Sequence, residues 1–273
     1  MLAVSIYLAF SLALPLIAGA APASKLWPRW QANEPASTAV VDHSAWDSLL
    51  GRYLQPASAG QPTLFRYAAL SAADKESLAA YIRTLEGTRV SSLNRREQAA
   101  YWINLYNALT VRLIVERYPV ASIRDIRLGG LFSGGPWDAV LARVEGEDLS
   151  LNDIEHRILR PIWNDPRIHY AVNCASLGCP SLQPRAYSAA NLESLLDKGA
   201  REYVNSPRGV RLEGGRLTLS SIYSWFAEDF GGGRTELFTH LGRYAEPALA
   251  AGLKAYAGKI SYEYDWKLNE PAR

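Results

Sequence analysis

The chain has 273 residues, 48% hydrophobic and 11% aromatic, enough to build a substantial core in one large domain or two small ones. Its 29 basic and 27 acidic residues leave a formal charge of +2. That near balance, with no basic block, argues against nucleic acid as a partner.

Leu2 to Ala21 carries no charge and ends in Ala18-Gly19-Ala20-Ala21, the small-residue pattern of a cleaved secretory signal, although no Lys or Arg stands near the start. Residues 1–20 are therefore read as a signal peptide. The mature protein is expected to be periplasmic or secreted, with no membrane span after signal removal. An uncleaved anchor is the alternative, because about 20 apolar residues span a bilayer; Pro15 and the small-residue end favour cleavage. Residues 21–42, rich in Ala, Pro, Ser and Asn, read as a linker. Residues 43–270 read as a single domain, because no later stretch has linker composition.

Within the domain, Ser71-Ala-Ala-Asp74 opens a helix that stops near Gly87, and Asn94-Arg-Arg-Glu97 has capping-box spacing before a long helix ending at Pro119. Trp102, Tyr106, Leu109 and Leu113 mark one face of that helix. The glycines of Gly129–Gly135 lack the Lys and spacing of a phosphate loop and read as a mobile surface loop. Val140, Ala142 and Val144 alternate with Leu141, Arg143 and Glu145 as a strand before Gly146. Ser150-Leu-Asn-Asp153 opens a short helix whose Leu151, Ile154 and Ile158 face inward until Pro161 stops it. Ile168–Cys174 reads as an interior strand, and helices follow at about 189–204, 221–229, 235–244 and 247–257. Between them Val210–Leu219 alternates around Gly214-Gly215, a hairpin signal, and Ile260–Tyr264 forms a last strand. Helices first and hairpins later, without βαβ alternation, predict an α+β fold: one helical layer on a small, mostly antiparallel sheet.

The only two cysteines, Cys174 and Cys179, lie in Ile168-His-Tyr-Ala-Val-Asn-Cys-Ala-Ser-Leu-Gly-Cys-Pro180, with one of four histidines. In an exported chain the pair reads first as a disulfide closing a six-residue loop, which the chain-entropy model values at roughly 2 kcal/mol. The alternative makes Cys174 a catalytic nucleophile with His156 as base and Glu155, Asn152 or Asn173 as orienter. On an extended strand His169 would lie about 16 Å from Cys174 and on the opposite face. A metal site is the weakest reading, because the spacing fits no usual ligand pattern. Asn104 and Asn107, three apart on the long apolar helix, read as amides bracing a loop, or else as lining a polar cleft.

Four motifs in order, Arg96–Thr110, Leu149–Arg160, Asp165–Pro180 and Leu219–Phe226, resemble the domain of unknown function 547 family, and the resemblance runs from about His43 to the closing Tyr264-Asp-Trp-Lys-Leu-Asn269. No settled activity travels with that resemblance. Similar chains occur as exported bacterial proteins and, in plants and animals, beside coiled-coil or glutaredoxin-like modules, a hint of thiol chemistry by association only. The family's recurring polar residues fall here on Asn104, Asn107, Asn152, Glu155, His156, Arg160, His169, Asn173, Cys174 and Cys179. The expectation is a disulfide-braced binding or accessory module of the cell envelope, acting on a small molecule or an envelope protein and needing no cofactor. A thiol-dependent hydrolase or acyl transferase is the alternative.

Overall fold

A computed structural model describes residues 22–56, 60–128 and 135–272. The signal segment and nearly all of the Gly129–Gly135 loop lie outside them. Pro22 to Asp42 is not a loose linker: a single 3-10 turn, Pro28–Gln31, buries Trp30 edge-on against Trp102, with ring centroids 5.0 Å apart. The sequence missed this because Trp27 and Trp30 are two apolar anchors in an otherwise polar, proline-containing stretch.

The first helices are α1 (Ser44–Tyr53), α2 (Ala72–Glu86) and α3 (Arg95–Arg117), with a two-residue pairing of β1 (Leu54–Gln55) and β2 (Leu64–Phe65) between α1 and α2. Ser71 Oγ accepts the Asp74 N–H at 3.1 Å and caps α2; Asn94 Oδ1 accepts the Arg96 and Glu97 N–H groups and caps α3. Glu97 does not complete its capping box. Its carboxylate is buried and accepts from the backbone of Val41 (2.8 Å) and Ala189 (3.2 Å), tying two distant segments to the helix start. Helix α3 is buried on every side from Glu97 to Val111 rather than along one stripe, as befits a helix at the centre of a layer.

After α3 comes the hairpin of β3 (Ala142–Val144) and β4 (Glu147–Leu149), with Ala142 and Val144 buried and Arg143 exposed. Ser150 and Asp153 then form the reciprocal box expected. The helix does not stop at Pro161. It runs as a π-helix over Asp153–Leu159, where Arg160 N–H bonds to Glu155 O five residues back, and continues as α4 (Arg160–Trp163). Pro161 has no N–H to give His156 O in the wider register or Arg157 O in the ordinary one. Both carbonyls are taken instead by the amino-terminal segment, His156 O by Lys25 N at 2.9 Å and Arg157 O by Trp27 N at 3.0 Å.

Ile168–Cys174 is not a strand. Pro166–Tyr170 forms a 3-10 turn and the chain then runs irregularly to Pro180. Its apolar residues alternate between two cores rather than two faces of a sheet: Ile168, Ala171 and Val172 join the core around α3, and Tyr170 joins the second. That second core is built by α5 (Leu192–Val204), the hairpin of β5 (Val210–Glu213) and β6 (Arg216–Ser220), α6 (Ile222–Trp225), α7 (Arg234–Tyr244), α8 (Pro247–Ala255) and β7 (Ile260–Glu263). Gly214 and Gly215 turn the hairpin with φ of 55° and 72°, as a two-residue turn requires. Strand β7 adds parallel to β6, and every other pairing is antiparallel. The architecture is the α+β arrangement the sequence implied, and no helix of the described residues is long and apolar enough to cross a membrane.

Candidate functional site

A cavity of about 380 Å³ opens where the two cores meet, lined by Val172 from the first and Ile222 from the second. One end holds Cys174 and Cys179, the other holds Glu155, His156 and His169, and an aromatic wall of Trp225, Phe226, Tyr264 and Trp266 runs between them. Asn152, Glu155, His156, His169 and both cysteines of the expected site therefore line one space, whereas Asn104, Asn107, Arg160 and Asn173 stand behind its lining.

The amides build the cysteine end. Asn107 Nδ2 donates to Ala171 O (2.9 Å) while its Oδ1 accepts the Asn173 N–H (2.9 Å); Asn173 Nδ2 donates to Pro180 O (2.7 Å) and its Oδ1 accepts the Ala175 N–H (2.8 Å). Ala175 sits at φ 59°, a turn that Asn173 thereby fixes. Asn104 holds both backbone groups of Tyr187 in the same way, at 2.8 and 3.0 Å. Asn104, Asn107 and Asn173 thus brace loops. Asn152 donates to Asp138 at 2.6 Å on the cavity rim. Gly178 lies so close to Asp265 that an added Cβ would meet its backbone N at 2.9 Å, which is why glycine stands there.

Both cysteines are free thiols, Cys179 buried and Cys174 half-buried. Tyr264 Oη lies 3.2 Å from Cys174 Sγ and 3.1 Å from Cys179 Sγ, Ser176 Oγ is 3.4 Å from Cys174 Sγ, and the Cys174 N–H donates to Cys179 Sγ at 3.0 Å. Burial opposes ionisation of Cys179, but the hydrogen bonds from Cys174 and Tyr264 outweigh it and lower that thiol. Cys174, which donates to Cys179 and is also buried among these groups, is raised. The more acidic sulfur is the one sequence reasoning had not chosen.

The other end is a buried ionic cluster. Asp229 accepts from Arg160 Nε at 2.5 Å and Nη2 at 3.1 Å, and His169 Nε2 lies 2.6 Å from the same carboxylate. His169 Nδ1 lies 3.6 Å from Glu155 Oε1, so the ring sits between two carboxylates and stacks on Phe226 at 4.3 Å. Burial pulls His169 down, and the bonds to Asp229 and Glu155 more than reverse that, leaving it raised, so that its cationic form is favoured. Burial likewise resists ionisation of Glu155, but His156, which becomes charged only at the acid pH where Glu155 itself titrates, together with His169 and Arg160 brings it down to about 2. The cluster then carries two anions, Glu155 and Asp229, and two cations, Arg160 and His169, the balance a buried set needs.

His156 is neutral. Burial lowers it, and Arg160 Nη1, which can only donate, lies 3.0 Å from its Nδ1. The Nδ1 lone pair is thereby occupied, the ring proton sits on Nε2, and that N–H has no hydrogen-bond partner among the described residues, on a ring that lines the cavity. Among the described residues neither histidine is hydrogen-bonded to a cysteine, and Glu155 pairs with His169 more closely than with His156 (3.6 against 4.0 Å). The Cys174, His156 and Glu155 of the catalytic reading share the cavity without forming a relay. No group of three or more His, Cys, Asp or Glu side chains among the described residues is placed to hold a metal ion.

Asp229, Tyr264, Ser176, Phe226 and Arg124 escaped the sequence reading. Asp229 had no local signal, whereas Phe226 ends one of the quoted motifs and Tyr264 opens another. Arg124 stands on the rim with its guanidinium 5.2 Å over Trp266 and no carboxylate partner among the described residues. No curated protein and no solved structure matches the chain. A family model, described as a protein of unknown function, DUF547, matches residues 90–204, which carry the central helix, the bracing amides, the π-helix and both cysteines. Over that segment the chain matches the DUF547 family.

Proposed function

We propose that this chain is an exported binding or accessory module of the cell envelope, whose cavity takes a small aromatic acid and whose cysteine pair closes as a disulfide in the wall after export. The observation that carries the reading is the 3.0 Å contact of Arg160 Nη1 with His156 Nδ1. A general base needs a free lone pair toward its proton donor, and His156 offers the cavity an N–H instead. An N–H at the floor, an uncompensated Arg124 at the rim and indole rings between them complement a carboxylate carried on a flat apolar body. The signal-like first residues support a site of action outside the cytoplasm.

Calorimetric titration with 2-naphthoate and its amide tests the reading. The acid should bind saturably and more tightly than the amide, and H156F should weaken it about tenfold, the worth of one hydrogen bond to a charged group. Equal binding of both probes to H156F and the unaltered protein would overturn it. Iodoacetamide labelling of the cysteines addresses catalysis: H156A should leave its pH profile unchanged, and a slower reaction in that variant would restore the thiol-enzyme alternative.

A further inference from the structure

From the way the loop 173–180 is held, we infer that Cys174 and Cys179 form a reversible dithiol–disulfide couple that exchanges with small disulfides entering the cavity, with Cys174 as the sulfur that meets them. This deepens the reading of the cavity as a ligand site and rests on it only for access to the sulfurs.

A bracing disulfide contributes by ordering a loop that would otherwise be loose. Here the order is supplied by other bonds. Asn173 clamps Ala175 and Pro180, Asn107 holds Asn173, and the backbone of Leu177 and Gly178 donates to Lys267 O and Asp265 O, each at 2.8 Å. The two sulfurs share one tyrosine hydroxyl while still reduced. Closing the bond therefore gains little order. The reduced form, for its part, keeps donors that a disulfide cannot use as well: the Cys174 N–H on Cys179 Sγ, and Tyr264, to which Ser176 Oγ donates in turn at 3.0 Å. A dithiol stabilised in this way makes its disulfide easily reduced.

The exchange balances within the pair and its partner. Cys179, the more acidic sulfur, starts as the thiolate; the proton of Cys174 passes to it, and the Cys174 thiolate so formed, still hydrogen-bonded by Tyr264, attacks one sulfur of the external disulfide. That S–S bond breaks and the electron pair leaves on the first released thiol, which takes up a proton. Cys179, deprotonated in turn, attacks Cys174 Sγ of the mixed disulfide and expels the second thiol. Two protein thiols are oxidised by two electrons, one external disulfide becomes two thiols, and the reverse sequence reopens the bond. Cys174 meets the partner because Cys179 is 3% exposed.

The test uses the whole protein in buffers of graded ratios of 2-mercaptoethanol to its disulfide, quenched with an alkylating mass tag. The dithiol fraction should pass through one half within the ratios that buffer spans. C179S should collect one mercaptoethanol at Cys174, and C174S should react at least about tenfold more slowly. Y264F should move the midpoint about tenfold toward more reducing ratios, as loss of a donor to a thiolate requires. A bridge that survives the most reducing ratio, thiols that stay free at the most oxidising one, or a C179S variant that takes up no adduct would overturn the inference. Naphthoate binding, measured separately, keeps the two readings apart: intact binding with failed exchange defeats this inference alone, and intact exchange with failed binding leaves it standing.

Discussion

At one end of the cavity the cysteine loop is positioned by neutral amides, Asn107 and Asn173, which satisfy backbone donors and acceptors one by one; at the other, Arg160, Asp229, His169 and Glu155 hold one another by charge. The first arrangement is indifferent to pH and to the state of the sulfurs. The second is sensitive to the loss of any single member, because each remaining charge would be left buried without its partner. The same cavity thus has a rigid end that can host reactive atoms and a poised end that responds to its surroundings.

The sharpest way to break the contrast is D229A, which strands Arg160 and His169. It should cost about 3 kcal/mol, the lower end for a broken buried pair because Asp229 is partly open, read as a shift of the urea midpoint. N107A should come next, at about 2–3 kcal/mol, because it orphans the Asn173 N–H and the Ala171 carbonyl; its loss should be the same at pH 5 and pH 8, unlike that of D229A.

The pH profile sharpens the comparison further. His169 is raised, so its stabilisation is full below about pH 6.5 and is lost as pH climbs through its folded value. His43, His156 and His240, all lowered by burial and His240 to about 4, act in the opposite sense: they penalise the fold as pH falls below about 6.5. Glu155, held down to about 2, contributes above about pH 4.5 and gives way only as pH drops toward that value. Stability should therefore decline from pH 7 to pH 5, while the gap between the unaltered protein and H169Q widens as pH falls toward about 6.5 and stays level below it. A gap that widens toward alkaline pH would reverse the assignment of His169 as the cation. The smallest expected effect is at the cysteines: reduced and oxidised protein should differ by less than about 1 kcal/mol in urea, against the roughly 2 kcal/mol a six-residue loop would gain if the bond were its main brace.

How much of this was legible follows from range. Caps, the Gly214-Gly215 hairpin and the alternation of Ala142 and Val144 are written within a few residues, and the α+β class followed from them. The bracing role of Asn104 and Asn107 was legible from two amides on an apolar helix. The strand expected at 168–174 failed because an apolar run is the same whether it serves two faces of a sheet or two cores. The helix expected to end at Pro161 continued because its orphaned carbonyls found donors more than 100 residues away, at Lys25 and Trp27. Asp229, the hub of the charged end, is separated by 60 residues from His169 and could not be paired with it by any local pattern.

The amino-terminal segment has a practical consequence for anyone choosing where to cut this chain. A fragment limited to residues 90–204 would keep both cysteines, His156 and His169, yet it would lack the backbone donors of Lys25 and Trp27, the Asp229 carboxylate and the Tyr264 hydroxyl. Such a fragment would carry the recognisable residues of the site without its chemistry. Even a cut at His43, where the composition changes, would remove Pro22, whose carbonyl accepts from Arg160 Nη1 at 2.8 Å at the cavity wall. A tag fused directly before Pro22 would begin at the mouth of the cavity, so affinity handles on this protein belong at the other terminus.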